Sequence, residues 1–148
     1  MGSATFKERL RKSNTPKIHG VSLSESNMVA VCPPPMVGDH PGATTPHGLF
    51  LASVGGCVNL IFEIALEKGH IELLDLESEI IGDYETDEDT GRSQFTAITI
   101  KTKITVPEGS NEKRIHKLFD TAKDNCPIGN CLVGSCVKLM TDLEVVYK

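Results

Sequence analysis

Gly48–Leu66, GLFLASVGGCVNLIFEIAL, is the longest apolar stretch of the chain, and its reading decides the fold. Its length approaches that of a membrane span, but it contains Ser53, Asn59 and Glu63. It also begins as soluble helices do, with Thr45 suited to the N-cap and Pro46 to the first helical position. The spacing predicts a helix over about residues 45–68, ended by Gly69 in the C′ position. A helix that is apolar nearly all round needs cover on every side, which points to burial within the domain or against a second copy.

Working outward, Leu74, Leu76, Ser78 and Ile80 alternate with Asp75, Glu77 and Glu79, and Ile98, Ile100, Thr102, Ile104 and Val106 alternate with polar residues. This is strand periodicity, and the acidic turn Glu85–Gly91 between the runs makes them an antiparallel hairpin. That turn lacks a full calcium-ligand pattern and reads as a solvated tip. A second helix is expected over about 110–123, from Ile115, Leu118, Phe119 and Ala122, with Ser110 as N-cap. A short helix or turn should start at Cys126-Pro127, and a last strand should cover about 139–147. Upstream, short strands are expected around 17–23 and 27–32, and the Pro- and Gly-rich run Cys32–Gly42 reads as a loop. Segregated strands and helices indicate an α+β fold, and 148 residues fit one domain spanning 1–148.

A net charge of −5 argues against a nucleic-acid partner. No basic segment precedes an apolar one at the N-terminus, so a cytoplasmic protein with reduced thiols is expected. Thiol chemistry with a peroxide or disulfide depends on thiolate formation and on access. Cys126, as the cap before Pro127, would lie beside free N–H groups at the positive end of a helix dipole. Cys57 has Ser53, Val54, Leu60 and Ile61 as helical neighbours, so its reactivity calls for an approaching cation. Cys126, Cys131 and Cys136 recur every five residues, about 140° apart on a helix, which suits neither a shared face nor the usual zinc-ligand spacing. No metal or cofactor is therefore expected, and Cys131 and Cys136 read as packing residues.

The pattern Thr-Pro-His-Gly-Leu-Phe-Leu-Ala-Ser-Val-Gly-Gly-Cys (45–57), the strand pair, and a helix running into Asn-Cys-Pro-Ile (125–128) resemble the OsmC/Ohr family over about residues 38–147. That family comprises osmotically inducible and organic hydroperoxide resistance proteins. The resemblance implies an antiparallel sheet with a long buried central helix, in an intertwined homodimer to which residues 1–37 contribute strand and loop. It implies a thiol-dependent peroxidase acting on organic hydroperoxides. Cys57 would become a sulfenic acid, Cys126 would resolve it, and a dithiol such as lipoamide or a thioredoxin-like partner would reopen the disulfide. Active family members carry Glu directly after the Pro of this motif, where this chain has His47. Their upstream arginine has no plain counterpart, since no Arg lies between Arg11 and Arg92. Arg9, Arg11 or Lys17 would have to replace it, and His47 could supply a charge itself when protonated. Ten residues of helix span about 15 Å, so His47 would meet Cys57 only across a dimer interface or through a break at Gly55-Gly56. The rival expectation is a non-catalytic, redox-sensing or small-ligand-binding member without the usual Arg/Glu pair.

Overall fold

The computed structural model describes residues 4–22, 27–34 and 40–148. They fall into two compact units, residues 1–50 and 51–148.

The first unit holds a three-stranded antiparallel sheet of β1 (Leu10–Lys12), β2 (His19–Ser22) and β3 (Met28–Val31), in that order. β2 and β3 match the two expected strands, while Leu23 lies outside the described residues and β1 has too short an alternation to be visible in sequence. Part of the Pro-rich loop is likewise outside them; its described start, Cys32–Pro34, has no regular structure. Helix α1 (Pro46–Lys68) begins where the unit ends. Thr45 caps it as expected, its Oγ1 accepting the Gly48 N–H at 3.0 Å.

The C-terminus of α1 differs from expectation. His70, not Gly69, takes the left-handed conformation (φ 55°). Its N–H bonds to the Glu67 carbonyl and the Ile71 N–H to the Leu66 carbonyl, the paired bonds of a Schellman motif. Gly69 is needed for space instead: a Cβ there would stand 2.8 Å from Leu118 Cδ1.

In the second unit β4 (Asp75–Thr86) and β5 (Ser93–Val106) form the expected antiparallel hairpin. At its tip Asp87 accepts the N–H groups of Asp89 and Thr90, which hold its carboxyl below the usual range, the Thr90 bond most strongly. Helices α2 (Glu112–Asp124) and α3 (Pro127–Asn130) precede β6 (Lys138–Tyr147). The N-cap of α2 is Asn111, whose Oδ1 accepts the Arg114 N–H at 3.0 Å; Ser110 turns back and donates to the Pro107 carbonyl. The sheet is mixed rather than antiparallel, because β6 runs parallel to β5. A parallel pair requires a crossover connection, and α2 and α3 supply it.

The inner sheet face carries Ile98, Ile100, Thr102, Ile104 and Val106 of β5, all buried. Val54, Val58, Phe62 and Leu66 of α1 and Ile115, Phe119 and Ala122 of α2 complete this core, with the Phe62 and Phe119 rings edge to face at 4.9 Å. α1 is long and apolar enough to cross a membrane by length and composition alone, but its inner side packs as a core helix does. Burial on every side is not found in the single chain. Leu60 is 63% exposed and Ile64 47% exposed, because the small sheet covers only one face of the helix. A polar clamp fixes the covered face. Ser78 of β4 donates to Asn59 Oδ1 of α1 at 2.9 Å, so its oxygen is left to accept from Thr102 of β5, also at 2.9 Å.

Candidate active site

Cys57 and Cys126 come together in the second unit. Cys57 lies in the middle of α1, half-buried, five residues before Phe62, whose ring meets Phe119 of α2. Cys126 is fully buried at the head of α3. Pro127 supplies the first helical position and the Cys126 Sγ accepts the Gly129 N–H at 3.1 Å, so the sulfur is the N-cap. The space there is tight: a Cβ on Gly129 would stand 3.3 Å from that sulfur and 3.4 Å from Leu139 Cδ2.

The electrostatics of Cys126 reverse the expectation drawn from its helix-start position. Burial pushes the thiol up from its ordinary value of 9.0 to about 11, and hydrogen bonding and charge at the adjacent Cys57 sulfur push the same way. The Gly129 and Ile128 N–H groups oppose this, and burial outweighs them. At neutral pH Cys126 is therefore a protonated thiol facing Cys57.

α1 runs unbroken through Gly55-Gly56, so no bend there returns His47 toward Cys57 of the same chain. His47 lies in the first unit, half-exposed with its Nδ1 buried, rather than as an open helix-start residue. It lines a cavity of about 290 Å³ together with Lys17, His19 and Cys32. Of the three cations considered for the missing arginine, Lys17 is the one beside His47. Arg9 is exposed, and Arg11 lines a different depression with Gly20 and Met28. His19 escaped the sequence reading because nothing in the 17–23 run distinguishes it from a strand residue.

Cys131 and Cys136 are exposed, not packed, because both follow the single turn of α3 in a surface loop. All five cysteines are free thiols in the structure. Among the described residues no three His, Cys, Asp or Glu side chains converge to hold a metal.

The family model for OsmC-like protein matches residues 38–142. The chain belongs to the OsmC-like family. A search of the curated proteins finds no sequence match. Solved structures show the same α+β OsmC-like fold at low identity. An OsmC-like protein from Mycoplasma pneumoniae superposes with a TM-score of 0.82 at 16% identity, covering 99% of this chain and 100% of that one. An organic hydroperoxide resistance protein OsmC from Legionella pneumophila gives 0.71 at 19% identity, with 96% and 99% covered. The organic hydroperoxide resistance protein OhrB of Bacillus subtilis gives 0.69 at 19% identity, with 95% and 100% covered.

Proposed function

We propose that this OsmC-like protein is a cytoplasmic, homodimeric thiol peroxidase that reduces organic hydroperoxides through Cys57 and Cys126. The observation that carries the reading is the facing pair itself: a half-buried cysteine against a fully buried one. The family membership and the hydroperoxide-resistance names of two structural neighbours support the substrate class.

The two environments assign the roles. Cys57, which a peroxide meets first, attacks the distal peroxide oxygen as a thiolate. The O–O bond breaks, the alkoxide leaves as the alcohol after taking a proton, and Cys57 becomes a sulfenic acid. Cys126 then attacks the Cys57 sulfur, water leaves, and a Cys57–Cys126 disulfide forms. An external dithiol, lipoamide or a thioredoxin-like protein, returns both thiols by exchange. The raised thiol of Cys126 fits the second role, since a group protonated at neutral pH is no first attacker. His47 is proposed to supply positive charge to the Cys57 thiolate of the partner copy, standing where active relatives place Glu. The residues 1–148 act together as one OsmC-like domain in this reading.

The test is reaction of the reduced protein with limiting cumene hydroperoxide, followed by peptide mass spectrometry. A Cys57–Cys126 disulfide that is absent in Cys57→Ser is expected, with slower oxidation in His47→Ala. Two free thiols in a folded, peroxide-treated protein would sink the peroxidase reading.

A further inference from the structure

One sulfur serves two partners in the second unit. Cys126 Sγ accepts the Gly129 N–H at 3.1 Å, which makes it the cap of α3, and it also stands against the Cys57 sulfur. Both thiols are free, so the two sulfurs are in non-bonded contact. Non-bonded heavy atoms stay about 3.5 Å or more apart, whereas the sulfurs of a disulfide are about 2 Å apart. Joining them therefore requires an approach of about 1.5 Å.

The scaffold decides which sulfur moves. Cys57 stands in the middle of a 23-residue helix whose inner side is held by Phe62 against Phe119 and by Gly55 packed on Ile80. α3 has four residues, and its closing bonds run from the Asn130 N–H to the Cys126 carbonyl and from the Cys131 N–H to the Pro127 and Ile128 carbonyls. A single turn has little stability of its own, so the Cys126 side yields. Gly129 is buried and close to Leu139, where a Cβ on it would stand 3.4 Å from Cδ2. Carrying the whole turn along with the sulfur would pull Gly129 off Leu139. If the sulfur advances alone, the Gly129 N–H stays behind, buried and without its acceptor. Such a donor is costly to leave unpaired, and opening the turn lets water replace the lost sulfur.

We propose that forming the Cys57–Cys126 bond unwinds α3, so that the oxidised protein alone presents its disulfide to a dithiol reductant. The inference rests on the two-thiol reading above. In the reduced protein α3 is closed and Cys126 is fully buried, out of reach of a reductant. In the disulfide form the opened turn uncovers the Cys126 sulfur. One thiolate of the dithiol attacks it, and Cys57 leaves as a thiolate and takes a proton. The second thiol of the reductant attacks the mixed disulfide, departs as a cyclic disulfide and releases Cys126. The freed Cys126 sulfur then accepts the Gly129 N–H again and α3 closes.

The experiment is amide hydrogen exchange, read by NMR, on the full protein before and after treatment with diamide. The N=N bond of diamide takes up the two thiol hydrogens, and peptide mass spectrometry identifies the bond formed. Exchange at Gly129, Asn130 and Cys131 should be at least about tenfold faster in the disulfide form and slow again after dithiothreitol, while the β5 amides keep their protection. Reduced Cys126→Ala removes the cap without making a bond and should show the same fast exchange. Reduced Cys126→Ser keeps a cap and should exchange as slowly as the parent. A Cys57–Cys126 disulfide formed by diamide but not by cumene hydroperoxide would end the peroxidase reading and leave this one standing. Equal protection of α3 in the reduced and disulfide forms, a reduced Cys126→Ala as protected as the parent, or no Cys57–Cys126 bond under diamide would each overturn the proposal.

Discussion

The Cys126 sulfur accepts the Gly129 backbone N–H at 3.1 Å, so one atom both caps α3 and faces Cys57. Structure and chemistry can be separated there, because serine retains a cap and loses the thiol. Cys126→Ser should remain within about 1 kcal/mol of the parent in urea unfolding, while Cys126→Ala should lose about 1 kcal/mol more than serine does. Neither should form a disulfide after peroxide treatment. An alanine variant as stable as the serine one would show that the sulfur is not acting as a cap.

The same residue sets an alkaline limit. Its folded value of about 11 lies above the ordinary 9.0, so the folded chain holds this proton more tightly than the unfolded chain does. The contribution to stability is therefore complete below pH 9 and is lost as pH rises through about 11. Chemical denaturation across that window should show a steeper fall for the parent than for Cys126→Ser. Parallel pH profiles for the two would contradict the buried, protonated thiol. In the same frame, alkylation of Cys126 in the folded protein at neutral pH should be slow, read by mass spectrometry of its peptide.

Much of the fold was legible because its signals are periodic. Thr45-Pro46 started α1 where the structure starts it, and the alternations at 74–80 and 98–106 gave β4 and β5 their faces. The direction of β6 was not read, although a strand that follows a helix after β5 is a crossover, and a crossover returns the chain parallel. The two misplaced caps have a common cause. Asn111 and Ser110 are both good cap residues, as Gly69 and His70 both border the helix end, and only packing chose between them. At the site, the resemblance to the OsmC/Ohr family singled out Cys57 and Cys126, and the structure places the two side chains together. The reversal of the Cys126 thiol was not legible, because the dipole of one helical turn is local while burial depends on β6 and α1. The Asn59–Ser78–Thr102 clamp joins three elements and leaves no mark in any one of them.

The glycine pair in α1 offers a paired test of how the helix sits on the sheet. A Cβ on Gly55 would run into the Ile80 side chain, with Cδ1 at 2.6 Å, whereas one on Gly56 meets nothing within 4 Å. Alanine gains about 1 kcal/mol over glycine inside a helix, and overpacking costs about 1–3 kcal/mol. Gly55→Ala should therefore be neutral to about 2 kcal/mol destabilising. Gly56→Ala should be stabilising by up to about 1 kcal/mol if its face is open, and destabilising if a second copy packs there. Thermal unfolding at two protein concentrations distinguishes these outcomes, since only an interface effect depends on concentration.

On the outer sheet face, charge alternates from strand to strand. Lys103 of β5 pairs in register with Glu77 of β4 and Glu144 of β6, and Lys101 stands likewise between Glu79 and Asp142. The Lys103 Nζ lies 3.8 Å from Glu144, and both side chains are more than half exposed. Water screens such a pair, so each is worth only about 0.2–1 kcal/mol. Charge reversal does more than delete an attraction, because Lys103→Glu places three carboxylates side by side across the sheet. That variant should lose about 1–2 kcal/mol at low salt, and added salt at about 1 M should recover a large part of the loss. Lys103→Gln, which removes the attraction without adding repulsion, should lose less than 1 kcal/mol by about the same measure. Urea unfolding of the three proteins at low and high salt checks the ordering. A salt-insensitive deficit in Lys103→Glu would mean that the loss comes from packing of the lysine stem rather than from the charge ladder.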